Sequence, residues 1–272
     1  MIIDTHVHLS DKPSGIFGHP PFKAEELLDY MDGPFTILGR PRRVELALIQ
    51  PHTGETIVPG TTVLDQHQYI AASVRKYRDR FLGIVMVNPN LGLDSIIRDM
   101  EQLIKEEGFR AIKLHPTVHS YLPTKNTKLL FPIVEAAVGL RAPIIIHTGD
   151  SPFALPVLMA PLAEAFPAAT IIIAHLGTQK VTYADEAVYL ARKNDNVFLE
   201  TSWAVLPRLK EAVAALGPER LLFGSDCPLL EIGSQLRTVE VLAWKPPLGM
   251  GLDERSVERI MGGNMAEILG VD

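Results

Sequence analysis

The 272-residue chain contains one cysteine, Cys227. No internal disulfide can form, and a structural zinc site built from several thiolates is excluded. No apolar stretch approaches the roughly 20 residues of a membrane span. The opening segment lacks the basic region and long apolar core of a signal peptide and reads as a first strand. Basic runs are missing as well. Lys and Arg number 26 against 32 Asp and Glu, a net charge of −6, and the two signs are interleaved along the chain. Nothing here forms an electrostatic footprint for nucleic acid or for an anionic membrane surface. A cytoplasmic location and a small-molecule partner are therefore expected, with no nucleic acid and no membrane. Internal repeats, low-complexity tracts and linkers are also missing, so residues 1–272 are expected to fold as one domain. Any homo-oligomer is expected to be a dimer, the commonest closed assembly.

What is present is the balance of a soluble globular protein, 47% hydrophobic and 21% charged. Eight short apolar, β-branched runs cover residues 2–8, 44–51, 81–88, 111–115, 143–147, 170–175, 196–202 and 221–226. Most are apolar at nearly every position, as strands covered on both faces should be. Between them lie amphipathic stretches such as residues 93–107, where Ile96, Ile97, Met100, Leu103 and Ile104 recur at a helical period. Asp94 or Ser95 is expected to cap that helix and Gly108 to end it. Residues 129–140, 154–166, 183–193 and 207–216 read the same way.

Strands alternating with helices imply parallel pairing through crossovers. Eight such units in this length predict an α/β fold, a (β/α)8 TIM barrel; such barrels run to about 250 residues as one domain. An open doubly wound sheet is the competitor, but no phosphate-binding glycine fingerprint follows the first strand. Two segments exceed the minimal repeat. Residues 10–43 form a Pro- and Gly-rich insertion with a helical piece over residues 24–31, and residues 51–60 form a second irregular loop. Both follow strand C-terminal ends, where barrel active sites lie, so both are expected to wall or cover the pocket.

The chemistry begins at Asp4-Thr5-His6-Val7-His8. Residues two apart on a strand share a face, so His6 and His8 project together, and paired neutral imidazoles suit zinc and other first-row metals. Alone, a His-x-His pair is equally an ordinary polar strand end. Further along, His147 ends an Ile-Ile-Ile run, His175 ends Ile-Ile-Ile-Ala, and Asp226 ends Leu-Leu-Phe-Gly-Ser. In a closed parallel barrel these ends converge on one rim. Burying five such groups together without a shared cation is unfavourable. Lys113 and His115 form another same-face pair on the fourth run. An inward lysine is disfavoured unless it is paired, modified or solvated. Contact with substrate or with the ligand residues is the first reading for Lys113 and His115. Carboxylation and bridging of a second metal is the second, and snorkelling to the rim is the bland alternative.

With these residues in place, the sequence resembles the amidohydrolase superfamily. More closely it resembles the amidohydrolase-2 branch that includes aminocarboxymuconate-semialdehyde decarboxylase. The resemblance rests on Ile3-Asp-Thr-His-Val-His8, Ile112-Lys-Leu-His-Pro116, Ile146-His-Thr-Gly149, Ala174-His-Leu-Gly177 and Leu222-Phe-Gly-Ser-Asp-Cys-Pro228. The closing segment Ile260-Met-Gly-Gly-Asn-Met-Ala-Glu-Ile-Leu269 matches as well, so the likeness spans the chain in order. It implies His6, His8, His147 and Asp226 as ligands of a divalent metal, with zinc favoured, and one ion favoured over two. It implies Asp226 and His175 as the catalytic pair. Other His-x-His barrels fit less well, because the phosphoesterase and nuclease types need ligands not found here.

The expected reaction is metal-dependent hydrolysis of an amide, lactone or cyclic ester. The cation makes hydroxide available near neutral pH. Asp226 accepts the water's proton, and His175 polarises the carbonyl or the water. Two alternatives stand beside it: a metal-dependent non-oxidative decarboxylase of an aromatic or dienoic acid, and a non-catalytic ligand-binding barrel. Arg40, Arg42 and Arg43 are candidates to pair with a substrate carboxylate, and Trp203 and Tyr121 to stack on a substrate ring, although solvated surface for the arginines and ordinary rim packing for the aromatics are the commoner explanations.

Overall fold

The computed structural model describes residues 1–13, 20–178 and 181–271. Eight parallel strands form one sheet: β1 (Ile3–Leu9), β2 (Leu46–Pro51), β3 (Phe81–Val87), β4 (Phe109–Leu114), β5 (Ile144–Ile146), β6 (Ile171–Ile173), β7 (Val197–Glu200) and β8 (Leu221–Leu222). Their spatial order follows their sequence order. The ring closes where the chain beyond β8 meets β1. Val7 bridges Cys227 in parallel, and backbone bonds run from Asp226 N to His6 O (2.8 Å) and from His8 N to Cys227 O (2.8 Å). The fold is a (β/α)8 barrel.

Alternation along the strands builds two apolar compartments. Ile3, Leu48, Ile84, Ala111, Ile145 and Ile172 point inward and pack as a plug inside the barrel. Their neighbours, such as Ile112, Leu114, Ile144 and Ile146, point outward against the helices. Residues two apart share a face, so Lys113 and His115 continue the inward row that Ala111 begins. The row turns from apolar to polar at the C-terminal end. The plug fills one half of the barrel and leaves the other half to the site.

The strands are shorter than their apolar runs at the end that matters. β5 stops at Ile146, β6 at Ile173 and β8 at Leu222. His147, His175 and Asp226 therefore lie just past the ladder, not on it. The backbone leaves the extended region there, with φ of 65° at His175 and 59° at Asp226. A left-handed residue cannot continue a strand, and these turns aim the side chains back over the barrel mouth.

The helix over Leu93–Glu106 buries Ile96, Met100 and Leu103, as its period demands. Neither Asp94 nor Ser95 caps it. Gly92 holds the cap position at φ 100° with no side-chain bond, and the Ser95 hydroxyl instead donates to the Gly92 carbonyl at 2.9 Å. The segment at 154–166 is split into a 3-10 turn, Pro156–Met159, and a helix, Ala160–Ala165.

The long insertion after β1 departs from expectation. Its helix, Ala24–Met31, is present, followed by an antiparallel ribbon of Phe35–Ile37 with Arg40–Arg42. None of its described residues lines the large cavity at the barrel mouth; residues 14–19 lie outside the described residues. The ribbon docks on the outside, with Leu38 N donating to Glu240 Oε1 at 2.8 Å. Arg40 and Arg42 pair with Glu254 and Glu258, and Arg43 lies 3.9 Å from Asp32. Those three arginines therefore face acidic partners on the surface and do not reach a substrate in the cavity.

Candidate active site

The polar mouth of the barrel opens into a cavity of about 880 Å³. His6, His8, Lys113, His115, His147, His175 and Asp226, the residues singled out from the sequence, all line it. They do not all meet at one point. Asp226 Oδ1 lies 3.4 Å from His6 Nε2 and 3.3 Å from His8 Nε2. His147 stands apart from this trio. Its Nδ1 is 3.0 Å from His175 Nε2, its Nε2 is 2.8 Å from Asp150 Oδ2, and its ring stacks on His115 with centroids 3.8 Å apart.

The remote ring nitrogens of the first pair are already committed. His8 Nδ1 donates to the Pro51 carbonyl at 3.0 Å, and His6 Nδ1 to Glu200 Oε2 at 3.2 Å. Each neutral ring then presents a lone pair on Nε2. The His6 lone pair accepts from Lys113 Nζ at 3.1 Å, and that of His8 from Gln50 Nε2 at 3.2 Å. Asp226 Oδ1 is buried with no hydrogen-bond partner among the described residues. Asp226 Oδ1 thus faces two unprotonated ring nitrogens with no proton between them, which is costly unless a cation lies there and takes the ring lone pairs over from Lys113 and Gln50. Their spacing of 3.3–3.4 Å matches the edge of a tetrahedron with bonds of about 2.0–2.2 Å. The donor set fits a divalent metal.

Burial sets the charges. It drives His6 down to about 4, helped by the Lys113 charge and opposed by Asp226 and Glu200. His115 and His175 are held well below the usual imidazole range, again chiefly by burial. Lys113 is only 1% exposed. Burial lowers it to about 8, against the pull of Asp226 and Glu200. For Asp226, burial pushes upward, but His6, His8 and His175 outweigh it and hold the carboxylate well below its usual range. At neutral pH the mouth therefore presents proton acceptors, and Lys113 as an ammonium.

A model of the amidohydrolase family (Amidohydro_2) matches residues 3–271. The chain belongs to the amidohydrolase family. None of the curated proteins matches it in sequence. Among solved structures, this amidohydrolase is similar to dihydroxybenzoic acid decarboxylase from Polaromonas sp. JS666, which holds manganese, with 15% identity and a TM-score of 0.72 over 99% of this chain and 96% of that one. It is similar to 4-oxalomesaconate hydratase from Rhodopseudomonas palustris, with 19% identity and a TM-score of 0.70 over 99% and 96%. It is also similar to a probable 2-pyrone-4,6-dicarboxylic acid hydrolase from Acinetobacter baumannii, with 16% identity and a TM-score of 0.66 over 99% of both chains. Family membership makes the chain an enzyme, which sets aside the non-catalytic barrel. At these identities the solved structures report the fold and not the reaction.

The amidohydrolase mouth also holds residues that sequence reasoning passed over. Glu200 ends β7, fully buried, with Ser202 beside it. It is a carboxylate finishing an apolar run, the same signal that drew attention to Asp226. His52 and Thr53, from the loop after β2, line the cavity, as expected of residues 51–60. Trp203 lines it too, but its indole Nε1 donates to Asp226 Oδ2 at 2.7 Å. Tyr121 is 3% exposed and lies outside the lining, so it does not face a substrate there.

Proposed function

We propose that this amidohydrolase is a metal-dependent hydrolase of a small carbonyl compound, an amide, lactone or cyclic ester. The observation that carries the reading is the meeting of Asp226 Oδ1 with His6 Nε2 and His8 Nε2 at the wall of the cavity. His6, His8 and Asp226 would hold a divalent cation, with His147 turning from Asp150 to complete the set. Imidazole nitrogens with one carboxylate favour zinc. When bound, such an ion supplies Lewis acidity and makes water acidic enough to ionise near neutral pH.

The protein's own groups handle the protons. Asp226, anionic through its imidazole neighbours, accepts a proton from the attacking water on Oδ2 and passes it to the leaving nitrogen or oxygen. His175 bonds Ser202 Oγ through Nδ1 at 2.7 Å and faces His147 Nδ1 through Nε2 at 3.0 Å; with His147 turned to the cation, that Nε2 would orient the water or the carbonyl. Lys113 Nζ, an ammonium below about pH 8, donates to the oxygen on which negative charge develops. A site rich in acceptors suits water activation better than it suits protonation of a carbanion.

A second reading, non-oxidative decarboxylation of an aromatic or dienoic acid, is favoured by the likeness to dihydroxybenzoic acid decarboxylase over 99% of the chain. Elemental analysis of the purified protein, with a panel of lactones, amides and aromatic carboxylates, separates the two. Hydrolysis consumes water and yields an acid. Release of CO2 with no water consumed would establish the decarboxylase, and a metal-free protein inert toward the whole panel would sink both.

A further inference from the structure

The mouth of the barrel contains a second cluster that could be mistaken for a metal site. One ligand atom each from His6, His175 and Glu200 lie within 4.8 Å of one another, all buried. The hydrogens around Glu200 argue otherwise. Its Oε2 accepts from His6 Nδ1 (3.2 Å), from the His175 backbone N–H (3.1 Å) and from the Ser202 hydroxyl (2.8 Å). Its Oε1 accepts from the Ser202 backbone N–H. A cation placed beside this carboxylate would face the hydrogens of those donors. The carboxylate is saturated by these four donors and offers no lone pair to a cation.

We propose that Glu200 and Ser202 are positioning residues that lock His6 and His175 in one tautomer each, so that both rings turn an unprotonated Nε2 toward the cavity. For His6 the bond to Glu200 fixes the proton on Nδ1 directly. For His175 the lock runs through a hydroxyl. Ser202 Oγ gives its only proton to Glu200 Oε2 and then accepts from His175 Nδ1, 2.7 Å away. His175 Nε2 is left facing His147 Nδ1 at 3.0 Å, whose own ring proton goes to Asp150 through Nε2, and two such lone pairs are reconciled when a cation draws His147 away. One carboxylate thereby orients a ligand candidate from β1 and the acid–base candidate beyond β6. Outer partners that orient a metal-ligating histidine are worth about 10–100-fold in metal affinity.

A third residue shows how closely the carboxylate is fitted. A Cβ on Gly224 would stand 2.2 Å from Glu200 Oε1. Gly224 lies outside the positive-φ glycines, so the glycine is required for space and not for its backbone freedom. The two strand ends are matched to one another, with the side chain of β7 occupying the room that residue 224 vacates.

The proposal rests on the hydrolase reading only for the role of the cation; the tautomers can be read without it. Nitrogen-15 NMR of the labelled imidazoles in the full-length protein is expected to show His6 and His175 each protonated on Nδ1. Glu200→Gln, whose amide cannot accept from all four donors, is expected to mix the His6 tautomers and weaken metal binding about 10–100-fold with unchanged stoichiometry at saturation. Ser202→Ala, the milder change, is expected to free His175 alone, lowering kcat while leaving KM and metal affinity near those of the parent. Nε2-protonated His6 in the parent protein would overturn the proposal, as would a loss of one of two bound ions in Glu200→Gln. A parent protein that binds no metal yet keeps both Nδ1–H tautomers would instead defeat the hydrolase reading and leave the positioning intact.

Discussion

The indole of Trp203 and the carboxylate of Asp226 are joined by a 2.7 Å bond from Nε1 to Oδ2. Both residues carry left-handed backbone, with φ of 62° and 59°. Two non-glycine residues held in a sparsely populated region at one site indicate that the surrounding structure determines them. The bond divides the carboxylate. Oδ2 is held by the indole, and Oδ1 is left to face His6 and His8.

Trp203→Phe keeps the ring and removes the donor. A hydrogen bond to a charged group is worth about 1.5–3 kcal/mol, which corresponds to about a tenfold to hundredfold change. The expected result is a fall of that size in kcat/KM with the fold unchanged by circular dichroism. An unchanged kcat/KM would show that Asp226 needs no second anchor.

Asp226→Asn tests the site more severely. The amide keeps the shape but loses the charge that His6, His8 and His175 surround. Metal occupancy by elemental analysis and turnover are both expected to vanish, while Tm stays within a few degrees of the parent. Retained metal-dependent turnover would rule out proton transfer through this carboxylate.

A pH effect on stability is expected from His67, which is remote from the mouth. It is fully buried; its Nδ1 donates to the Val63 carbonyl at 2.6 Å, and its Nε2 accepts from Met86 N at 2.8 Å. Burial lowers it from 6.5 to about 4. The unfolded chain then binds more protons than the native one between about pH 4 and 6.5, so stability falls as pH drops through that window. The contribution, fully present above about pH 6.5, is roughly 3 kcal/mol. His67→Gln should be less stable at pH 7.5 and show a shallower loss of Tm on acidification. Parallel Tm–pH curves for parent and variant would contradict this.

Packing makes its own prediction at Gly83. A Cβ there would stand 2.4 Å from the Phe109 ring on the neighbouring strand. Gly83→Ala overpacks the core and should cost about 1–3 kcal/mol, a loss of several degrees in Tm at about 2–4 °C per kcal/mol. Phe109→Leu in the same chain should restore part of it. Additive losses in the double variant would show that the two residues do not compete for space.

The barrel was legible because each strand is an apolar run bounded by a helical period, and burial on both faces leaves that imprint in sequence. His6, His8, Lys113 and His115 were legible for a related reason: a polar pair at spacing two interrupts an apolar row. His147, His175 and Asp226 stood out as polar ends of such rows, but the left-handed backbone of His175 and Asp226 did not, because neither His nor Asp announces a positive φ as Gly does. Glu200 carried the same strand-end signal as Asp226. Its role depends on donors from β1, from the turn after β6 and from Ser202, which only the closed barrel brings together. The destination of the insertion after β1 was hidden because its anchors, Glu240, Glu254 and Glu258, lie some 200 residues away.

Lys113 offers the clearest link between electrostatics and turnover. It is the sole lysine lining the cavity among the described residues, and burial brings its ammonium down to about 8. If Nζ donates to the substrate oxygen, the productive form is the protonated one. Because this group is active below its pKa and lost above it, kcat/KM should decline as pH rises past about 8. Lys113→Met should remove that alkaline limb and lower kcat/KM about 10²–10⁴-fold, the range for a positioned proton donor. Metal occupancy separates this from a structural effect. The side chain lies 3.1 Å from His6 Nε2, so a variant that loses its ion has lost a ligand's geometry and not a donor. A pH–rate profile flat to pH 10 in the parent enzyme would take Lys113 out of the reaction and leave it as the inward cation that balances Asp226 and Glu200.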